Sequence, residues 1–275
     1  MPLDLADQAL FLFVPADRPE RFSKAAAAGA DSIIIDLEDA VSPATKNDAR
    51  TTLTTTLTSA PLSGSVFIRI NGVGTSWHDA DVEALTQLQP DGVVLPKAER
   101  ADQIERLRKR LPGRTLIVAL IETALGLTAA QTIAEKADRL AFGSIDLAAD
   151  LGCAHSREAL LLARSQTVLA SRLAGKPAPI DGVTLSIRDD AATQADARYA
   201  VELGFGGKLL IHPAQIEPCR QGFAPTPDNI AWASKILSQA DDGAARAVDG
   251  TMVDLPVLLR ARQILRAQQR FSKDR

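Results

Sequence analysis

Two acidic residues stand where a carboxylate is costly unless it has a partner: Glu122, closing the apolar run in "ALIETALG", and Asp146 in "AFGSIDLAADLG". Carboxylates delivered from adjacent strands, with no histidine or cysteine beside them, make a hard oxygen donor set that suits Mg2+ or Mn2+ better than zinc. Such an ion takes one or two protein carboxylates and leaves positions open for water or a chelating substrate. A second acidic knot follows another apolar run, in "IIIDLEDAV" from Ile33 to Val41. Asp36 and Glu38, two residues apart on an extended segment, project to one side and repel unless a cation or donor lies between them. Arg69 in "VFIRI" can fork onto a substrate carboxylate or a developing enolate oxygen, and it can equally form a salt bridge to Glu38.

Other polar residues have simpler readings beside the functional one. Asp39 or Ser42 can cap a helix that starts at Pro43. Asp181 in "PIDGV" reads as a turn residue as well as a site residue. His212, before Pro213, suits a loop backbone better than a general base, and Lys97 in "VLPKAE" is a candidate for ligand contact.

The elements that must position these groups follow from hydrophobic spacing. Short apolar runs recur, each followed by a longer stretch with helical period. The expected strands are Ala9–Pro15, Ser32–Leu37, Val66–Ile70, Gly92–Pro96, Leu116–Glu122, Leu140–Gly143, Ala178–Val183 and Lys208–Pro213. Strands apolar on both faces belong to a parallel sheet covered by helices, and eight such units match a TIM (β/α)8 barrel. An open doubly wound sheet is the rival, but no G-x-G-x-x-G follows the first strand. In a barrel, residues at the carboxyl ends of the strands face one mouth, so Asp36, Glu38, Asp39, Arg69, Asn71, Lys97, Glu122, Asp146, Asp181 and His212 should converge there. Residues 1–225 form the expected barrel domain and 226–275 a C-terminal helical arm, with a Gly/Ala-rich break at Asp241 to Ala245. On spacing alone, Asp254 caps the last helix, with Pro256 in its first turn.

Composition narrows the function classes. With 275 residues, 46% apolar, the chain can bury a large core. A net charge of -3 with scattered lysines and arginines argues against a nucleic-acid or membrane-surface partner. Cys153 and Cys219 offer neither a disulfide framework nor a zinc site, so a reducing, cytoplasmic setting is expected. No run reaches the length needed to span a bilayer.

The segments "LFVPADRPERFSKAAAAGADSIIIDLEDAV", "FIRIN", "VLPKAE", "ALIETALGL", "AFGSIDLAADLG", "GKLLIHPAQI" and "DGTMVDLPVLLRARQIL" together resemble the citrate lyase beta-subunit family of the HpcH/HpaI aldolase superfamily, over nearly the whole chain. The resemblance implies a Mg2+-dependent barrel that cleaves or forms a carbon–carbon bond between an acyl thioester, on coenzyme A or an acyl carrier protein, and a 2-oxo acid. Citryl, citramalyl and malyl thioesters are the substrate class. Carried over by motif, Glu122 and Asp146 are the metal ligands, Arg69 the substrate clamp and Asp254 the proton-transfer residue, supplied from a neighbouring subunit of a trimer or hexamer. Arg18 and Lys24 lie toward the thioester carrier, and Asp36 and Glu38 orient Arg69 or the metal's waters. The alternatives are a free-acid, pyruvate-using aldolase of the same superfamily, which uses a histidine base, and a non-catalytic binding subunit.

Overall fold

The computed structural model describes residues 3–238, 246–248 and 251–271, so the break expected at Asp241 to Ala245 lies outside the described residues. Eight parallel strands close a barrel: β1 (Leu10–Pro15), β2 (Ser32–Asp36), β3 (Ser65–Arg69), β4 (Gly92–Leu95), β5 (Leu116–Ile121), β6 (Arg139–Phe142), β7 (Ile180–Asp181) and β8 (Gly207–Leu210). Closure is made by β1 against β8, with Leu10 opposite Lys208. The helices are α1 (Phe22–Ala26), α2 (Lys46–Ser59), α3 (His78–Leu88), α4 (Ala101–Arg110), α5 (Ala124–Thr128), α6 (Ala130–Lys136), α7 (Ser144–Leu151), α8 (Leu161–Leu173), α9 (Asp190–Leu203), α10 (Ile216–Phe223), α11 (Pro227–Ser238) and α12 (Leu255–Phe271).

The strand ends fall within two residues of expectation except at β8, which stops at Leu210, three residues short of Pro213; β7 is the shortest strand, only two residues long. Pro179 precedes it and lacks the N–H a ladder needs, so pairing starts late. Alternation along the strands explains why "SIIID" is apolar throughout. Ile34 points inward with Phe11, Phe67, Val94, Val118, Ala141, Ile180 and Leu209. Ile33 and Ile35 point outward into the cluster shared with the helices. Both faces are buried, which is the reason for β-branched side chains on each. Gly92 is required by this packing, because a Cβ there would strike the ring of Phe67.

The lower end of the barrel is closed by Arg139, 1% exposed, whose guanidinium donates to the carbonyls of Leu5, Gln8 and Ala178. Burial pulls its pKa down to about 9.

A short hairpin, β9 (Arg246–Val248) paired with β10 (Thr251–Val253), leads into α12. Here α11 and α12 share a small core of their own, made by Ala233, Ile236, Val253, Leu258 and Ala261. Phe271 on α12 meets Phe223 on α10 at 5.6 Å between ring centroids, which ties the last helix to the barrel's outer layer. Among the described residues, no helix is long and apolar enough to cross a membrane.

Candidate active site

Strand register carries the chemistry to one place. Phe13, Asp36, Arg69 and Glu122 stand two residues beyond inward-facing Phe11, Ile34, Phe67 and Leu120, so they point the same way, one layer nearer the mouth. They line a cavity of about 380 Å³ together with Asp39 and Asp146. Asp146 comes from the first turn of α7, directly after β6, rather than from a strand.

Arg69 is fixed on three sides. Its Nε and Nη2 donate to Asp36 Oδ1 and Oδ2 at 2.7 and 2.6 Å, a two-point ion pair buried from solvent. Its Nη1 lies 3.1 Å from Glu38 and 3.5 Å from Asp39. Its guanidinium carbon sits 4.7 Å from the ring centroid of Phe13. Burial opposes the charge, but Asp36, Glu38 and Asp39 outweigh it and hold Arg69 firmly protonated. The cation required between Asp36 and Glu38 is therefore Arg69.

Asp36 also accepts the N–H groups of Glu38 at 2.9 Å and Ala40 at 3.1 Å, so the carboxylate folds the turn that follows its own strand. Beneath that turn the buried Lys46 Nζ donates to the carbonyls of Leu37 and Glu38, at 2.9 and 2.7 Å. Pro43 starts a short 3-10 turn ahead of α2, as the sequence predicts, but Ser42 makes no cap and Asp39 faces the cavity instead.

Glu122 is 1% exposed, and its Oε1 accepts the N–H of Lys97 at 2.8 Å. Burial, then the charges of Glu38 and Asp146, push its carboxyl up to about 8. A divalent cation would relieve that crowding, and the lining residues with metal-ligating side chains are all carboxylates. The neighbouring backbone is cut to fit: a Cβ on Gly143 would collide with Glu122 Oε2. The residues present thus suit a hard divalent ion held by Glu122 and Asp146.

The remaining candidates divide. Lys97 belongs to the site, its Nζ 2.6 Å from Glu38 Oε1 and 4.0 Å from Glu122 Oε1. Asn71 does not line the cavity: it is buried just beyond β3, donating to Asp81 and to the Leu37 carbonyl. Arg18 and Lys24 are exposed beyond the end of β1, with Arg18 3.9 Å from Glu20. Asp181 is neither a turn residue nor part of the cavity: buried in β7, it pairs with Arg164 at 2.9 Å and Lys208 at 3.1 Å. His212 caps the short turn after β8, accepting the Ala214 N–H at 3.1 Å. His78 bonds the Asn71 carbonyl and His155 bonds Ser144, so none of the three histidines lines the cavity. Asp254 accepts the Val257 N–H at 3.2 Å, the helix cap that its position before Pro256 predicts.

Lys97 stands in the site as the sequence led one to expect, whereas Gly143 was not among the candidates. A lysine directly after a strand-ending Pro96 was the available signal for the first. The second becomes visible only when β5 and β6 are placed side by side, with Ile121 opposite Phe142.

A closed parallel barrel whose mouth brings buried carboxylates together with a locked arginine is the architecture of a TIM-barrel enzyme. The family model for HpcH/HpaI aldolase/citrate lyase matches residues 9–213, and the chain belongs to that family. It is 40% identical over 267 residues to a citrate lyase subunit beta-like protein of Mycobacterium tuberculosis, covering 93% of this chain and 94% of the relative. It is 34% identical over 264 residues to a (3S)-malyl-CoA thioesterase of Cereibacter sphaeroides, covering 92% of each. The fold superposes with a TM-score of 0.86 on the crystal structure of protein CitE from Mycobacterium tuberculosis in complex with magnesium, acetoacetate and coenzyme A. That match has 39% identity and covers 96% of this chain and all of the other.

Proposed function

We propose that this chain is a Mg2+-dependent carbon–carbon lyase acting on a 3-hydroxyacyl thioester of the citryl, citramalyl or malyl class, giving an acyl thioester and a 2-oxo acid. The same site serves the reverse condensation. The observation that carries the reading is that Asp146 and the buried Glu122 line one cavity together with Arg69, which Asp36 locks in place. The solved structure with magnesium, acetoacetate and coenzyme A supports the choice of ion and carrier.

Glu122 and Asp146 would hold the ion, which supplies Lewis acidity that makes a substrate hydroxyl more acidic and polarises the emerging oxo group. In the cleavage direction a base takes the hydroxyl proton, the oxygen's electrons form the oxo group, and the carbon–carbon bond breaks. Its electron pair passes to the thioester's α-carbon, giving an enolate that is then protonated. Arg69 sets its charge against the carboxylate or enolate oxygen, and its rigid mounting on Asp36 means little reorganisation is needed as charge develops. Glu38 orients Arg69 from the other side. Asp254, in residues 226–275, delivers the proton from a neighbouring subunit of a trimer or hexamer. Arg18 and Lys24, exposed outside the mouth, meet the coenzyme A or carrier-protein end of the thioester.

A free-acid aldolase with a histidine base fits less well, because no histidine lines the cavity. Thioester hydrolysis is the second reading, favoured by the similarity to the malyl-CoA thioesterase. Incubation with malyl- and citramalyl-CoA in Mg2+, assayed separately for 2-oxo acid and for free thiol, separates the two.

A further inference from the structure

Lys97 has a φ of 47°, in the left-handed region that residues with a Cβ seldom occupy. Strain of this kind persists only where the surroundings hold it, and it gathers at functional sites. Here it has a geometric result. The backbone N–H is turned onto Glu122 Oε1 at 2.8 Å, while the side chain reaches the other way to Glu38 Oε1 at 2.6 Å. One ammonium thus stands within 4.0 Å of both carboxylates. The second oxygen of Glu38 has no hydrogen bond of good geometry and faces Arg69 Nη1 at 3.1 Å. Glu38 is buried, close to Glu122, and flanked by a cation on each side.

We propose that Lys97 is a positioning residue that keeps Glu38 off the metal, so that the centre has two carboxylate ligands rather than three. The inference rests on the reading of Glu122 and Asp146 as the ligands. Two carboxylates neutralise a divalent ion and leave positions for a chelating, anionic substrate; a third would bind the ion more tightly, fill a position and repel the substrate. Lys97 prevents this by engaging Glu38 with its ammonium and Glu122 with its N–H. The ammonium and the strained backbone therefore have separable tasks.

Calorimetric titration of Mg2+ into the whole protein tests this, alongside steady-state turnover of the thioester substrate. Lys97→Met should bind Mg2+ about tenfold more tightly than wild type and turn over at least tenfold more slowly, because Glu38 is released to the ion. Lys97→Gly keeps the N–H and accepts the backbone angle, so it folds without strain and should show the same gain in affinity. Lys97→Arg should restore wild-type affinity, and adding Glu38→Gln to Lys97→Met should abolish the gain. Equal or weaker Mg2+ binding in both Lys97→Met and Lys97→Gly, with wild type binding normally, overturns the inference and leaves the metal reading standing. Absence of Mg2+ binding by wild type overturns both.

Discussion

Arg69 and Asp36 are direct partners across the β2–β3 ladder, and their side chains meet there in a two-point ion pair of 2.7 and 2.6 Å. A cation mounted this way is held in its working position before any substrate arrives. Replacing Arg69 by Ala should lower kcat about a hundredfold, or about 3 kcal/mol, the usual cost of one charge-assisted contact to developing negative charge. Asp36→Asn should fall between that variant and wild type, since it keeps one bond and loses the charge. Near wild-type turnover in Arg69→Ala on the true substrate would remove it from the transition state.

The metal centre is tested by binding alone. Asp146→Ala should weaken Mg2+ affinity in calorimetry while the circular dichroism spectrum stays native, because Asp146 is half-exposed on the first turn of α7. Gly143→Ala should weaken it too, by forcing the Glu122 carboxylate out of place. Chelator should abolish turnover. Unchanged Mg2+ affinity in Asp146→Ala contradicts its role as a ligand.

Asp254 caps α12 within its own chain, and its proposed chemistry is for a neighbour's site. Mixing inactive Asp254→Asn chains with inactive Glu122→Gln chains should regenerate activity, since mixed oligomers contain sites with both residues intact. If subunit exchange is demonstrated and no activity returns, the site is built within one chain.

Cys219, fully buried on α10, has its thiol pushed up to about 12 from an ordinary 9.0, by burial first. The folded protein holds the neutral thiol while the unfolded chain releases the proton. The resulting stability is fully present below about pH 9 and is lost as pH rises toward 12. Urea unfolding between pH 8 and 10.5 should show wild type losing stability more steeply than Cys219→Ala, by up to about 1.4 kcal/mol per pH unit at the upper end. Parallel pH profiles would contradict the buried, unreactive thiol.

The barrel was legible because its strands are apolar on both faces, so "SIIID" and "GVVL" announce themselves without regard to neighbours. Asp36, Arg69, Glu122 and Asp146 were legible because they interrupt or follow those runs at one end. What sequence could not convey depends on contacts between distant segments. The left-handed turn at Lys97 is upheld by Glu38 and Glu122, 59 and 25 residues away. Asp181 looked like a turn residue because Gly182 follows it, but its fate was decided by Arg164 and Lys208 arriving from α8 and β8. The shortness of β7 had a local cause, Pro179, that a run of apolar residues concealed.

The reaction itself is the most direct measurement. Malyl- and citramalyl-CoA, supplied with Mg2+, should each be tested for release of a 2-oxo acid by a coupled dehydrogenase and for release of free thiol by a colorimetric reagent. Carbon–carbon cleavage requires 2-oxo acid to appear in step with acyl-CoA, with no free thiol, and to disappear on adding chelator. Free thiol without 2-oxo acid would mean that the same site hydrolyses the thioester, and the lyase assignment would fall.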